Sequence, residues 1–456
     1  MNEVIVHHGD CLDVLRTMKS NSVDAVVSDP PAGIAFMGKG WDEDKGGRIR
    51  WTAWLASVMR ECLRVLKPGG HALVWSLPRT SHWTAMALEN AGFETRDCIA
   101  HCFGSGFPKS RNISKAIDAV AGATREVIGI KRGTHAVNES GLGGTATGVK
   151  QHGIDVDVTA PATDDAKKWD GWGSGLKPAV EMWWLCRKPL AKATIEAQVL
   201  ATGTGAINIA ATRAASCGDA LVRPPISRTD NAVLGHGRGV GKQTEPSGRW
   251  PANLVLSHSD GCVRVGEHAR TVGDGSGRTR PITNESANNS MSGKNYPRDA
   301  KGIAYAPSGV EQIPEYECVE GCAIALMNQQ QEDAARFFNT FEPDHDPFFY
   351  AAKPSVRERN IGCEGLETRT AGVPSGPGGF SGGSIPRTNV HPTVKSQALM
   401  RHLVKLITPP GGTVLDPFSG SGSTLVAAKT LGFNAIGIEK EAEYAAIINA
   451  RLAAVK

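Results

Sequence analysis

The apolar run Val23 to Val27 leads directly into Ser28-Asp29-Pro30-Pro31-Ala32-Gly33-Ile34. An amino group on a conjugated heterocycle is a poor nucleophile, because its lone pair is delocalised into the ring. A carboxylate and a backbone carbonyl that both accept from such an amine pull its nitrogen toward tetrahedral geometry, and prolines fix where the carbonyl points. Asp29 and the Pro30 carbonyl, stiffened by Pro31, are the candidates for that chemistry. Asp after a strand is more often a turn or cap residue, so the motif needs a partner elsewhere in the chain.

A partner stands near the other end. Leu415-Asp416-Pro417-Phe418-Ser419-Gly420-Ser421-Gly422-Ser423-Thr424 puts a glycine-rich turn between a strand expected at Thr413 to Leu415 and a helix expected at Ser423 to Thr430. Glycine lets the backbone approach a ligand, and a helix N-terminus offers free N–H groups. Glu439 closes the next expected strand, Ala435 to Ile438, where a carboxylate meets ribose hydroxyls in doubly wound nucleotide sites. Together these features read as a nucleotide-binding half-site.

Two further sets lie between the ends. His258-x-x-x-Cys262 and Cys318-x-x-x-Cys322 supply four side chains of a type that suits tetrahedral zinc. Arg264, Arg270, Arg278, Arg280 and Lys294 sit in or beside a Gly, Ser and Asn-rich stretch from Gly266 to Gly302. Such side chains contact phosphates and base edges.

The elements that must position these residues follow an α/β rhythm. Val23 to Val27, a helix over Trp54 to Leu66, and a strand over Ala72 to Ser76 after Pro-Gly-Gly predict parallel strands joined by helices. A helix over Ser396 to Ile407 and the strands around Asp416 and Glu439 repeat the pattern, so the two chain ends are expected to share one mostly parallel, doubly wound sheet. Residues 1–195 are expected to form one half of this core, with a loop insertion at about 130–168. Residues 346–456 should form the cofactor-binding half, and 196–345 an inserted recognition module.

The chain resembles the beta class of DNA amino-methyltransferases, in which an Asp-Pro-Pro-Tyr motif precedes an Asp-Pro-Phe-x-Gly-x-Gly motif. Gly9-Asp10-Cys11, Leu66-Lys67-Pro68-Gly69-Gly70, Gly104 to Ser110, Leu176-Lys177-Pro178 and His391-Pro392-Thr393-Val394-Lys395 extend the resemblance to about half of the chain. It implies a methyltransferase (Rossmann-like) fold that uses S-adenosylmethionine to methylate N6 of a flipped-out adenine in double-stranded DNA. Asp29 and the Pro30 carbonyl would bind the target amine. Asp10 and Cys11 would contact the cofactor adenine and Glu439 the ribose, while Lys395, Ser396 and the turn from Asp416 to Thr424, including Phe418, Gly420, Gly422, Ser423 and Thr424, would surround the methionine part. The initial Asp favours adenine over cytosine N4. The class commonly forms homodimers. A cytosine-N4 enzyme and a catalytically weakened DNA-binding regulator are the alternatives.

One position departs from the family motif. Ala32 stands where an aromatic residue lies against the flipped base, and base stacking on an aromatic is worth about 1–3 kcal/mol. The intact surroundings favour an engineered Tyr-to-Ala change and an impaired enzyme; the other reading is a natural variant in which Phe36 or Trp41 substitutes.

Composition narrows the class without choosing the partner. With 40% hydrophobic and 21% charged residues the chain is an ordinary globular protein. Neither an apolar run of about 18 residues nor a basic-then-apolar leader is present, so a cytoplasmic, nucleoid-associated protein is expected, and its ten cysteines are read as thiols or metal ligands. The net charge of +4 permits nucleic acid without requiring it. No nuclease motif is visible.

Overall fold

The computed structural model describes residues 2–103, 110–132, 155–176, 178–213, 250–259, 262–271, 310–320, 322–330, 334–341, 356–372 and 384–455. Strands from both chain ends interleave in one nine-stranded sheet, in the spatial order Val4–His8, Asn434–Glu439, Thr413–Asp416, Val23–Ser28, Leu66–Ser76, Val180–Arg187, Glu94–Cys102, Leu254–Ser257 and Asn339–Phe341. All neighbours pair in parallel except Val180–Arg187, which is antiparallel to both strands beside it. The expected mostly parallel α/β sheet is thus the fold found.

Burial explains why the central strands are mainly apolar; in Val23–Ser28 the run is interrupted by Asp24, whose carboxylate pairs with Lys67 at 2.6 Å. Every residue of Val23–Ser28 is buried, because helices cover both faces. Ala25, Val27, Leu73 and Trp75 pack with helix Gln397–Ile407, whereas Val26, Ala72 and Val74 pack on the other face with helix Arg48–Val65. The latter helix buries Trp51, Leu55, Val58, Met59, Cys62 and Val65, a spacing of three and four that forms one stripe.

Described parts of the segment 196–345, expected as an inserted recognition module, contact the main sheet at several points. Helix Ile195–Thr202 and its cap lie on Leu66–Ser76, with Thr204 Oγ1 donating to the Pro68 carbonyl at 2.6 Å. Asn208 N donates to the Leu406 carbonyl at 2.7 Å. Leu254–Ser257 and Asn339–Phe341 extend the sheet, where an edge strand finds its backbone partners. Beyond them Val263–Thr271 pairs antiparallel with Val310–Glu317. Within the expected loop at 130–168, Asp155–Thr159 pairs with Val127–Arg132 as a second ribbon. Among the described residues, no helix is long and apolar enough to cross a membrane.

Candidate active site

The two motifs meet where the strand order turns back on itself. From Thr413–Asp416 the chain continues outward to Asn434–Glu439, and from Val23–Ser28 it continues the opposite way to Leu66–Ser76. Leu415 stands beside Val26 in the parallel ladder, so Asp416 and Asp29 leave the carboxyl ends of adjacent strands. Such a switch point leaves a crevice that open α/β sheets use for ligands.

A cavity occupies that crevice. Its wall includes Asp10, Cys11, Asp29, Pro31, Lys395 and Asp416, together with Phe418, Gly420, Ser423, Thr424 and Glu439. The sequence had marked all of these. Pro30 is buried behind the wall, Ser396 stands at the N-cap position of helix Gln397–Ile407, and Gly422 takes φ +75° to open helix Ser423–Thr430. Ala32 packs against the core, and its carbonyl accepts from Thr80 Oγ1 at 3.2 Å.

The glycine turn is rigid. Ser28 Oγ donates to Asp416 Oδ1 at 2.8 Å, and Phe418 N donates to the same oxygen at 3.1 Å. Buried Arg451 donates to the Ser421 carbonyl at 2.7 Å. A Cβ on Gly420 would stand 2.6 Å from His391 Nε2, so only glycine fits against that ring. Glu439 accepts from Gly420 N at 2.7 Å through one oxygen and from Glu441 N at 2.8 Å through the other. Each oxygen retains a second lone pair.

Asp29 faces an ammonium. Lys395 Nζ lies 3.1 Å from Asp29 Oδ2 and 3.9 Å from Glu181 Oε2, and sits 4.0 Å above the Trp75 ring. Burial pushes the Asp29 carboxyl up to about 6, against the opposing pull of Lys395, while Glu181 and Asp416 add to the rise. Asp416 is likewise pushed up to about 6 by burial. His391 is pushed down to about 3 by burial and neighbouring cations, which keeps its imidazole neutral. The segment bearing Lys395 is fixed by its neighbours: Lys395 N donates to Ser423 Oγ at 3.3 Å, and Arg359 donates to the His391 carbonyl.

Trp41, named from the sequence only as a substitute for the missing motif aromatic, borders the cavity, as do Lys45, Trp54, His391 and Tyr444, to which the sequence gave no role. Trp41 stacks on His391 with 12° between the rings, and His391 meets Tyr444 edge-on. Trp54 tilts against Phe418 at 5.8 Å. Trp41 reaches the wall because buried Asp42 braces the loop after the Asp29 motif, accepting from Gly33 N at 3.0 Å and Phe36 N at 2.8 Å. His391 lies in a quoted motif and was the readable signal; the loop brace was not.

The expected zinc ligands His258, Cys262, Cys318 and Cys322 converge, with their ligand atoms all within 4.8 Å of one another. Of the expected DNA contacts, Arg264 lies on the exposed ribbon and pairs with Glu267, and Arg270 lies on the same strand. Arg278, Arg280, Lys294, Lys177 and Gly104 to Lys109 lie outside the described residues.

Residues 320–450 match the family model described as N6/N4 DNA methylase. Over that segment the chain is similar to DNA methylases. It is 32% identical over 106 residues to the type II methyltransferase M.BamHI of Bacillus amyloliquefaciens, covering 23% of this chain and 24% of that protein. It is 47% identical over 64 residues to the type II methyltransferase M2.DpnII of Streptococcus pneumoniae, covering 14% of this chain and 24% of that protein. The chain therefore spans about a quarter of the length of these curated relatives. Similar solved structures include the M1.HpyAVI complex with SAM, at TM-score 0.35 and 16% identity over 98% of both chains. Another is the cytosine-N4-specific PvuII DNA methyltransferase, at TM-score 0.41 and 12% identity over 98% of this chain and 85% of that one.

Proposed function

We propose that this protein methylates the exocyclic amino group of a base in double-stranded DNA, N6 of adenine, with S-adenosylmethionine as methyl donor. The observation that carries this reading is the meeting of Asp29 and the Asp416 glycine turn around one cavity at the switch point of the sheet.

The residues fit the donor. Glu439 has lone pairs left for ribose hydroxyls, the hydroxyls of Ser423 and Thr424 and the start of their helix suit a carboxylate, and the tilted Trp54 and Phe418 rings offer an apolar slot beside Cys11. When bound, S-adenosylmethionine supplies an electrophilic methyl group. Asp29, held ionised by Lys395, accepts a hydrogen bond from the target amine, and the Pro30 carbonyl accepts a second. Both interactions strengthen as positive charge develops on the attacking nitrogen, which lowers the barrier rather than merely improving binding. Trp41 offers the aromatic surface that Ala32 lacks. Lys and Arg side chains of the segment 264–301 would grip the duplex while the base is extruded. A homodimer would suit a palindromic site.

Asp29→Ala is expected to cut turnover by at least about a hundredfold with donor affinity nearly unchanged, and Glu439→Ala to weaken donor binding first. Comparable loss of donor affinity in Asp29→Ala, measured by calorimetry, makes Asp29 a structural residue and overturns its role.

A further inference from the structure

We propose that His258, Cys262, Cys318 and Cys322 bind one structural zinc ion, which fastens the ribbon of Val263–Thr271 and Val310–Glu317 to the edge of the main sheet. The reading is independent of the methyl-transfer chemistry.

Each ligand lies next to the end of an element. His258 follows strand Leu254–Ser257, Cys262 precedes Val263–Thr271, Cys318 follows Val310–Glu317, and Cys322 precedes helix Ala323–Gln330. The penultimate strand of the main sheet, the ribbon and the helix therefore converge on one point, and one ion there would hold all three.

The geometry suits a tetrahedral site. Zinc bonds of about 2.3 Å to sulfur and about 2.0–2.1 Å to nitrogen put a sulfur and a nitrogen ligand roughly 3.6 Å apart. His258 Nδ1 lies 3.5 Å from Cys318 Sγ and 3.7 Å from Cys322 Sγ. Both cysteine-bearing turns close with a backbone hydrogen bond, Cys262 N to the Ser259 carbonyl and Cys322 N to the Val319 carbonyl. The Tyr316 ring lies over His258 with centroids 3.8 Å apart.

The surroundings show what an ion would contribute. The buried cluster here consists of Leu256, Ile324 and Ala335 with Cys262 and Cys322 themselves. Those aliphatic side chains, with the half-buried Leu254, Met327 and Phe338 packed against them, are a thin core for a ribbon, a strand and a helix, and a bound metal ion adds folding energy to small units of this kind. His258, Cys262 and Cys322 are 3%, 2% and 0% exposed, so the ligand atoms already face inward together.

The test uses the full chain, purified reduced and without a metal-binding tag or chelator, with metal measured by mass spectrometry and by cobalt(II) exchange. About one zinc per chain and a thiolate-to-cobalt absorption band are expected. Cys318→Ser should lose most of the zinc, His258→Cys should keep it, and Cys102→Ser, which alters a neighbouring thiol outside the four, should match the parent. Less than about a tenth of an equivalent of zinc together with no cobalt band in the unmodified protein would overturn the site, as would full zinc in a soluble Cys318→Ser variant. Aggregation of Cys318→Ser leaves the parent and His258→Cys measurements to decide.

Discussion

Replacing Lys395 with Met removes the ammonium that opposes the burial of Asp29 while keeping an unbranched side chain over Trp75. With Lys395 present the carboxyl titrates at about 6, so at pH 7 roughly nine-tenths of it is ionised and able to accept from an amine. Loss of an adjacent opposite charge raises a carboxyl by about one to three pH units, and Glu181 and Asp416 remain to push in the same direction. The acid limb of the pH profile for kcat/KM should then move from near pH 6 to roughly pH 7–9. At a midpoint of about 8, only about a tenth of the carboxyl is ionised at pH 7, a roughly tenfold loss that recovers by about pH 9. Lys395→Arg should keep the limb near its original place. The assay is methyl transfer to DNA at saturating donor from pH 5.5 to 9.5. An equal loss at every pH, with the limb unmoved, would refute the idea that Lys395 acts by ionising Asp29.

Trp41→Ala should slow single-turnover transfer by roughly ten- to a hundredfold if its ring takes the role that the motif aromatic usually has, the factor that 1–3 kcal/mol implies; an unchanged rate would remove it from that role. Ala32→Tyr should accelerate transfer by a similar factor only if the pocket lacks its aromatic, so an unchanged or slower rate marks Ala32 as native to a pocket built around Trp41. Asp42→Ala strips the brace from Gly33, Ile34 and Phe36 N–H groups and should cost about 1–3 kcal/mol of stability per group left unsatisfied, read by denaturant unfolding; loss below about 0.5 kcal/mol would mean that water or another group replaces it. Neutralising Arg278 and Arg280 together should flatten the salt dependence of DNA binding by about one to two in slope, and identical slopes would mean that neither touches phosphate.

The fold was legible where physics acts locally. The mainly apolar run at Val23–Ser28 is a strand covered on both faces, and the turn at Gly420 and Gly422 announced a strand-to-helix junction. What could not be read was how distant segments combine. That Leu254–Ser257 and Asn339–Phe341 extend the main sheet depends on pairing across long stretches of sequence, and short strands of four and three residues carry little pattern of their own. In the site, the paired motifs were visible because backbone chemistry ties Asp to Pro-Pro and glycine to a helix start. Trp41 could be named from the sequence only as one of two substitutes beside Phe36, because its arrival at the cavity depends on a buried brace from Asp42. The four zinc-type ligands were found by spacing, but only the tertiary fold brings the two pairs within reach.

The most direct test of the central claim is transfer of a labelled methyl group from S-adenosylmethionine to duplex DNA by the purified protein, followed by digestion and nucleoside analysis. The account predicts label in N6-methyl-2′-deoxyadenosine. Label in N4-methylcytosine would move the target to the other amine, and no transfer to DNA by a folded protein that binds the donor would contradict the account.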